Sequence, residues 1–238
     1  MGNVVALIVF LSVPAVDMAP VLHFECLRAT EAVVVDGKAE EAAWKDAKPI
    51  TEFRLWTTLG EPTERTTVRF CYDDVFLYAF YECDDKDLYT LYQARDARIW
   101  ESDCIELFLW PDEGNAIYYE FEVAPNNAVF DARMVNTGSG GYQRWAQWNC
   151  EVRTATQLEG TLNQWRDRDE GYTVEVAIPL GALCETIGEG GLEGQTWRFA
   201  AVRADLSVTL RAAERSSTAN VPEGDVHRKD GYFTLTFK

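Results

Sequence analysis

Glu106, Glu120 and Glu122 lie on two neighbouring runs in which apolar and polar residues alternate. In Asp103–Trp110, Ile105, Leu107 and Leu109 take one set of positions, and Cys104, Glu106, Phe108 and Trp110 take the other. Ile117–Ala124 sets Tyr119, Phe121 and Val123 against Tyr118, Glu120 and Glu122. Successive side chains of a strand point to opposite faces, so each run has a glutamate-bearing face. The connecting Pro111-Asp112-Glu113-Gly114-Asn115 is made of turn formers. A turn centred near Gly114 sets Glu106 opposite Glu122 and Phe108 opposite Glu120. Like charges opposed across a ladder repel, so the patch needs a partner. An arginine (Arg95, Arg98, Arg198 or Arg203 on a salt-bridged outer face), a metal cation, or the hydroxyls of a sugar would each serve.

Trp100 stands just before the first run, in Arg98-Ile99-Trp100-Glu101-Ser102-Asp103. A tryptophan there either packs inward or presents its ring over a groove that leads to Glu106. The second arrangement suits a pyranose, whose apolar C–H face stacks on an aromatic ring while carboxylates accept its hydroxyl hydrogens. Three other chemistries compete. Glu106 and Glu122 have the residue types of a glycoside hydrolase, whose carboxyls lie about 5–5.5 Å apart in retaining enzymes and about 6.5–9.5 Å apart in inverting ones. Glu175, on another strand-like run, is a further acid of that kind. A haem or redox site would draw on His23, His227, Met1, Met18 or Met134, a thin supply with only two histidines in the chain. Calcium, which takes about six to eight oxygen ligands, has candidates in Asp84, Asp85 and Asp87, with Glu120 and Glu122 as a second set.

The elements that must position these groups are mostly strands. Thr67–Tyr72 and Val75–Cys83 flank Asp73-Asp74 as a hairpin, and Ala128–Val135, Gly171–Ile178, Trp197–Val202 and Gly231–Phe237 are further short runs between turn residues. Ala39–Asp46 is the one clear helical stretch. Such spacing predicts an all-β fold, an antiparallel sandwich of jelly-roll type with one short N-terminal helix, over residues 30–238. Asn136–Trp148, with Gly138-Ser139-Gly140-Gly141, Tyr142, Trp145 and Trp148, and Glu214–Lys229, with His227, are expected as long loops able to carry binding residues.

The chain has 22 Lys and Arg against 39 Asp and Glu, a net charge of −17. That charge argues against binding nucleic acid or an anionic membrane surface. Residues 1–19 include the uncharged run VVALIVFLSVPAV, too short to span a bilayer and about as long as the core of a signal peptide, although no Lys or Arg precedes Arg28. This points to a secreted or periplasmic protein. Six widely spaced cysteines without a C-x-x-C argue against zinc, and Cys71 and Cys104 fall within apolar runs as buried thiols.

Asp36-Gly37 followed by Trp44, then VRFCYDDVFLYAFYECDD, WESDCIELFL, YYEFEVAPNNAVFD and YTVEVAIPL, resemble the successive signatures of family 9 carbohydrate-binding modules. The likeness covers nearly all of 36–238. It implies a β-sandwich that binds a polysaccharide or oligosaccharide without cleaving it, of the kind appended to xylanases, with bound calcium. It also implies that Trp100 is one ring of a two-tryptophan sugar clamp and Glu106 a sugar-bonding carboxylate, with Glu120, Glu122 and Trp145 nearby. Two positions depart from the pattern. Glu122 stands where the family has an arginine, and no tryptophan lies near Gly224, where the second ring is expected, which leaves Trp145 or Trp148 as a replacement.

Overall fold

The computed structural model describes residues 20–135, 145, 147–187, 191–208, 210, 212–221 and 224–238. Residues 1–19 and most of the loop expected over Asn136–Trp148 lie outside them. The fold is all-β. Its strands are β1 (His23–Arg28), β2 (Arg54–Leu55), β3 (Thr66–Tyr72), β4 (Phe76–Asp84), β5 (Cys104–Trp110), β6 (Ile117–Val123), β7 (Val129–Val135), β8 (Arg153–Glu159), β9 (Gly171–Pro179), β10 (Thr196–Asp205), β11 (Glu214–Ser217) and β12 (Phe233–Phe237). They form one continuous sheet in the order β7-β6-β5-β10-β12-β1-β3-β4-β9-β8, with β11 on β10 and β2 on β11.

The pairing departs from the expected antiparallel pattern at β1. This strand lies before residue 30 and runs parallel to both β12 and β3, so it joins the two halves of the sheet. The halves then face one another. Phe70 of β3 meets Phe199 of β10 edge-on at 5.2 Å, and the Tyr81 hydroxyl of β4 donates to the Glu106 carbonyl of β5 at 3.1 Å. Between them lies the main core, which takes Ile105, Leu107 and Leu109 from β5 and Tyr119, Phe121 and Val123 from β6. Those are the two apolar sets of the sequence alternation.

Strands with little apolar periodicity were the hard ones to foresee. β8 is a largely exposed edge strand whose polar residues RTATQLE pair with β9. β11 occupies the start of the expected loop Glu214–Lys229. Its Ser216 and Ser217 are buried, and the neighbouring Thr218 accepts the Ala201 amide, so hydrogen bonds rather than apolar contacts hold this edge.

Helix α1 (Ala42–Asp46) is shorter than the expected Ala39–Asp46 and packs Trp44 on Phe80, on the outer side of β4 and β9. Glu175 of β9 explains the Asp36-Gly37…Trp44 spacing. Its carboxylate accepts the Asp36 and Gly37 amides, each at 2.9 Å, and the Trp44 indole N–H at 3.1 Å. Gly37 takes φ +83°, and a Cβ there would lie 3.0 Å from Gln157, so the loop approaches β8 closely. Glu175 is thereby a structural anchor on the face away from Glu106, and the hydrolase candidacy it had from sequence falls away.

Five cysteines, Cys26, Cys71, Cys83, Cys104 and Cys150, are buried free thiols. Among the described residues, no helix is long and apolar enough to cross a membrane.

Removing a buried carboxylate that holds three N–H donors strands all three. Glu175→Ala is expected to lower unfolding free energy by about 2–4 kcal/mol, read from a urea melt. A change within about 0.5 kcal/mol, the range of an ordinary surface substitution, would contradict the anchoring role.

Candidate functional site

The β5–β6 register is the one the turn implied: Glu106 faces Glu122, and Phe108 faces Glu120. The glutamate face is not, however, an outer surface. β5 is buried on both sides up to Trp110, and β6 throughout. A second apolar cluster covers it, built from Phe108, Tyr118, Phe130 and Ala200 of the sheet and from Ile99, Val221, Val226 and Tyr232 of the connecting segments. Glu106, Glu120 and Glu122 are 4%, 5% and 1% exposed. Carboxylate oxygens of the three lie within 4.8 Å of one another.

The arginines expected as partners are engaged elsewhere in the fold. Arg95 pairs with Asp131, Arg98 with Glu101, Arg198 with Glu113 at 2.9 Å and Arg203 with Asp85 at 2.6 Å. The arginine that shares the glutamates' cavity, and whose charge acts on Glu106 and Glu122, is Arg215 on β11, within the segment expected as a loop.

The three glutamates form the floor of a cavity of about 490 Å³. Trp100 stands in its wall on the 3-10 turn Ile99–Glu101, anchored by fully buried Ile99. The ring of Trp100 meets Phe130 edge-on at 5.4 Å, and its carbonyl accepts Arg215 Nη2 at 3.0 Å. Trp145 also lines the cavity. Trp148 does not. It packs on Tyr119 at 5.3 Å and Phe121 at 6.2 Å, against the other face of β6, and so drops out as a second ring.

Trp56, which follows β2, enters the wall unforeseen. The strand pairing that brings it there, β2 on β11, joins two short polar segments without a periodic signal. Its indole N–H is buried without a hydrogen-bond partner among the described residues. Gly224 does border the cavity, at the place where the sequence pattern lacked its tryptophan. Met134 and His227, both haem-ligand candidates, also reach the wall. His227 Nδ1 is hydrogen-bonded to the Tyr118 hydroxyl at 3.0 Å, and its ring rests edge-on against Phe108. His23 lies elsewhere, bonded through Nδ1 to Thr234.

Burial drives all three carboxyls towards the neutral form. Glu106 is pushed up to about 8 by desolvation and by the charge of Glu120, with Arg215 opposing. Glu122 is raised well above the usual carboxylate range by desolvation, then by Glu106 and Glu120. Glu120 is raised by desolvation, with His227 and a hydrogen bond to Glu122 opposing.

The expected calcium ligands Asp84, Asp85 and Asp87 do not converge. Asp84 turns outward against Arg65. Asp85 instead approaches Asp103 and Asp205, with oxygens of all three within 4.8 Å of one another. Asp85 pairs there with the buried guanidinium of Arg203. Asp103 accepts the Leu206 and Tyr89 amides, and Asp87 accepts the Val208 amide. Three carboxyls thus meet the single guanidinium of Arg203, and Asp87 Oδ1 nearby is buried without a hydrogen-bond partner among the described residues, so this group, rather than Asp84, is where a cation would find oxygen ligands. If a calcium ion sits among them, a chelator is expected to lower the melting temperature by several degrees, whereas an unchanged melting curve would count against a cation there.

Aromatic walls over a few convergent polar groups, in a concave site on a rigid sheet, define a small-ligand binding domain. Residues 35–215 match the family model described as carbohydrate family 9 binding domain-like, and the chain belongs to that family. A putative carbohydrate-binding protein from Bacteroides uniformis has a similar structure (TM-score 0.70, 15% identity, 92% of this chain and 100% of that one). A family 9 carbohydrate-binding module from Caldicellulosiruptor kristjanssonii is also similar, in complex with cellotriose (TM-score 0.62, 17% identity, 91% and 93% covered) and with glucose (TM-score 0.61, 17% identity, 90% and 95% covered). These likenesses concern the fold. Among sequences, a protein of Arthroderma benhamiae described as an extracellular protein is 29% identical over 79 residues, 32% of this chain and 36% of that relative.

A carboxyl protonated in the folded protein but ionised in the unfolded chain stabilises below its unfolded value, and that contribution is lost as pH rises through the folded one. For Glu106 the window runs from 4.5 to about 8. The ligand-free protein should therefore melt at lower temperature as pH climbs through this window. Glu122→Gln removes one ionising group and should recover on the order of 1 kcal/mol or more near its alkaline end. A variant whose stability falls as steeply as that of the wild type would refute the electrostatic account.

Proposed function

We propose that the chain is a non-catalytic carbohydrate-binding domain that holds a sugar ring in the cavity over β5 and β6. The observation that carries this reading is the meeting of Trp100 and Trp56 with Glu106, Glu120 and Glu122 in one concave site. The indoles provide surfaces for the apolar face of a pyranose, while the carboxyls and the Trp56 indole N–H are placed to bond its hydroxyls. Trp145 adds a third ring to the wall. On this reading the folded-over sheet serves as a jelly-roll-like sandwich, and the loop side of the glutamate face is where a glycan end enters.

Binding is favoured over hydrolysis by the charge state of the floor. A retaining glycosidase needs an ionised nucleophile and an inverting one an ionised base, while burial pushes Glu106, Glu120 and Glu122 together towards the neutral form. Haem is disfavoured by the same acids in the cavity wall and by the Tyr118 hydrogen bond on His227. The apolar run within residues 1–19, and the description of the Arthroderma relative as extracellular, support export to the periplasm or beyond. The cellotriose and glucose held by the Caldicellulosiruptor module make gluco-oligosaccharides the first ligands to try, within a system that breaks down polysaccharide such as xylan.

Isothermal titration with cello- and xylo-oligosaccharides tests the assignment. Trp100→Ala and Trp56→Ala are each expected to weaken binding about tenfold or more, with Trp100→Phe recovering part of the loss. No reducing sugar should be released from polysaccharide. Undiminished affinity in both folded alanine variants would place the ligand elsewhere.

A further inference from the structure

We propose that the cavity selects an amino sugar, a pyranose whose protonated amine sits among Glu106, Glu120 and Glu122. This rests on the carbohydrate reading above and names its ligand class. Three features of the geometry point to it. First, oxygens of three different carboxyls converge within 4.8 Å of one another. An ammonium group carries three N–H donors, whereas a sugar hydroxyl carries one, so three convergent acceptors match the former. Second, apart from the carboxyl contact of Glu122 with Glu120, Glu122 Oε2 is buried in the floor with no N–H or hydroxyl donor among the described residues, in a side chain that is 1% exposed. A buried acceptor left unmade is costly, and a donor brought in by the ligand removes that cost.

Third, the charge of the wall is unbalanced. Among the described residues lining the cavity, Glu106, Glu120, Glu122 and Asp225 are acidic, against Arg215 and His227. Burial, and after it the charge of Glu120, pushes Glu106 up to about 8 in spite of Arg215. A cation arriving with the ligand would draw the carboxyls back towards their ionised, stronger-bonding state. The indoles of Trp56, Trp100 and Trp145 add faces that attract a cation as well as C–H groups. A calcium ion in this place is less well served: it needs about six to eight oxygens, and indole walls provide none.

The test is titration of the full chain with glucosamine oligosaccharides, N-acetylglucosamine oligosaccharides and cello-oligosaccharides of equal length, at a pH where the amine is protonated. Calcium chloride and a simple alkylamine are titrated separately. The expected result is that the glucosamine ligand binds about tenfold or more tighter than either neutral ligand. Glu122→Gln and Glu106→Gln, each shown to be folded by its melting curve, should reduce that preference towards parity. Equal affinity for the amine and neutral oligosaccharides overturns the inference and leaves the carbohydrate reading standing. A preference that survives both glutamine variants, or an alkylamine that binds as tightly as the amino sugar, also overturns it. So does stoichiometric calcium binding abolished by Glu122→Gln with no preference for the amine. Failure of every sugar to bind overturns the carbohydrate reading itself.

Discussion

Much of this structure depends on three carboxyls that face one another on two adjacent strands and are shut away from water. Repulsion across the β5–β6 ladder and desolvation both act against their ionised forms. Strand register makes the arrangement unavoidable once the turn at Gly114 is in place, because Ile105, Leu107 and Leu109 must face the main core. The remaining freedom lies in what covers the opposite face. A roof of Trp100, Trp56, Trp145 and the segment around Val226 leaves a space of about 490 Å³ instead of closing it. The glutamates are therefore neither solvated nor packed away; they border a cavity with unused hydrogen-bonding capacity.

A second buried acidic group, around Asp85, shows the alternative outcome. There the chain provides its own cation, Arg203, from β10, and backbone amides take up Asp103 and Asp87. The contrast lies in what each group faces. Both groups bring three carboxyls within the same distance of each other, but only the glutamates open onto an aromatic-walled cavity. Glu175 is a third variant, a single buried acid satisfied by a loop and an indole.

What could be read from the sequence follows from where its signals arise. Alternation and turn chemistry are local, so the β5–β6 pairing, the opposition of Glu106 and Glu122, and the place of Trp100 were all legible. The all-β class was legible for the same reason. β1, β8 and β11 were not, since β1 is paired in parallel across the length of the chain and the other two carry polar side chains on short or exposed edges. Trp56 and Arg215 escaped notice with them, because both reach the cavity only through the β2–β11–β10 edge. The grouping of Asp84 with Asp85 and Asp87 was misleading for a related reason: Asp84 ends β4 at the surface beside Arg65, whereas Asp85, one residue beyond, is buried against Arg203 and meets Asp103 and Asp205.

The central claim is that a sugar ring lies over the β5–β6 glutamates against the indole of Trp100. A crystal structure of the protein grown with a bound oligosaccharide addresses it most directly. The account predicts a pyranose stacked on Trp100, with a polar hydrogen directed at Glu106 or Glu122 and the Trp56 ring within contact distance. A ligand seated on an outer strand face, or against the exposed Trp165, with the cavity holding only water, would contradict it.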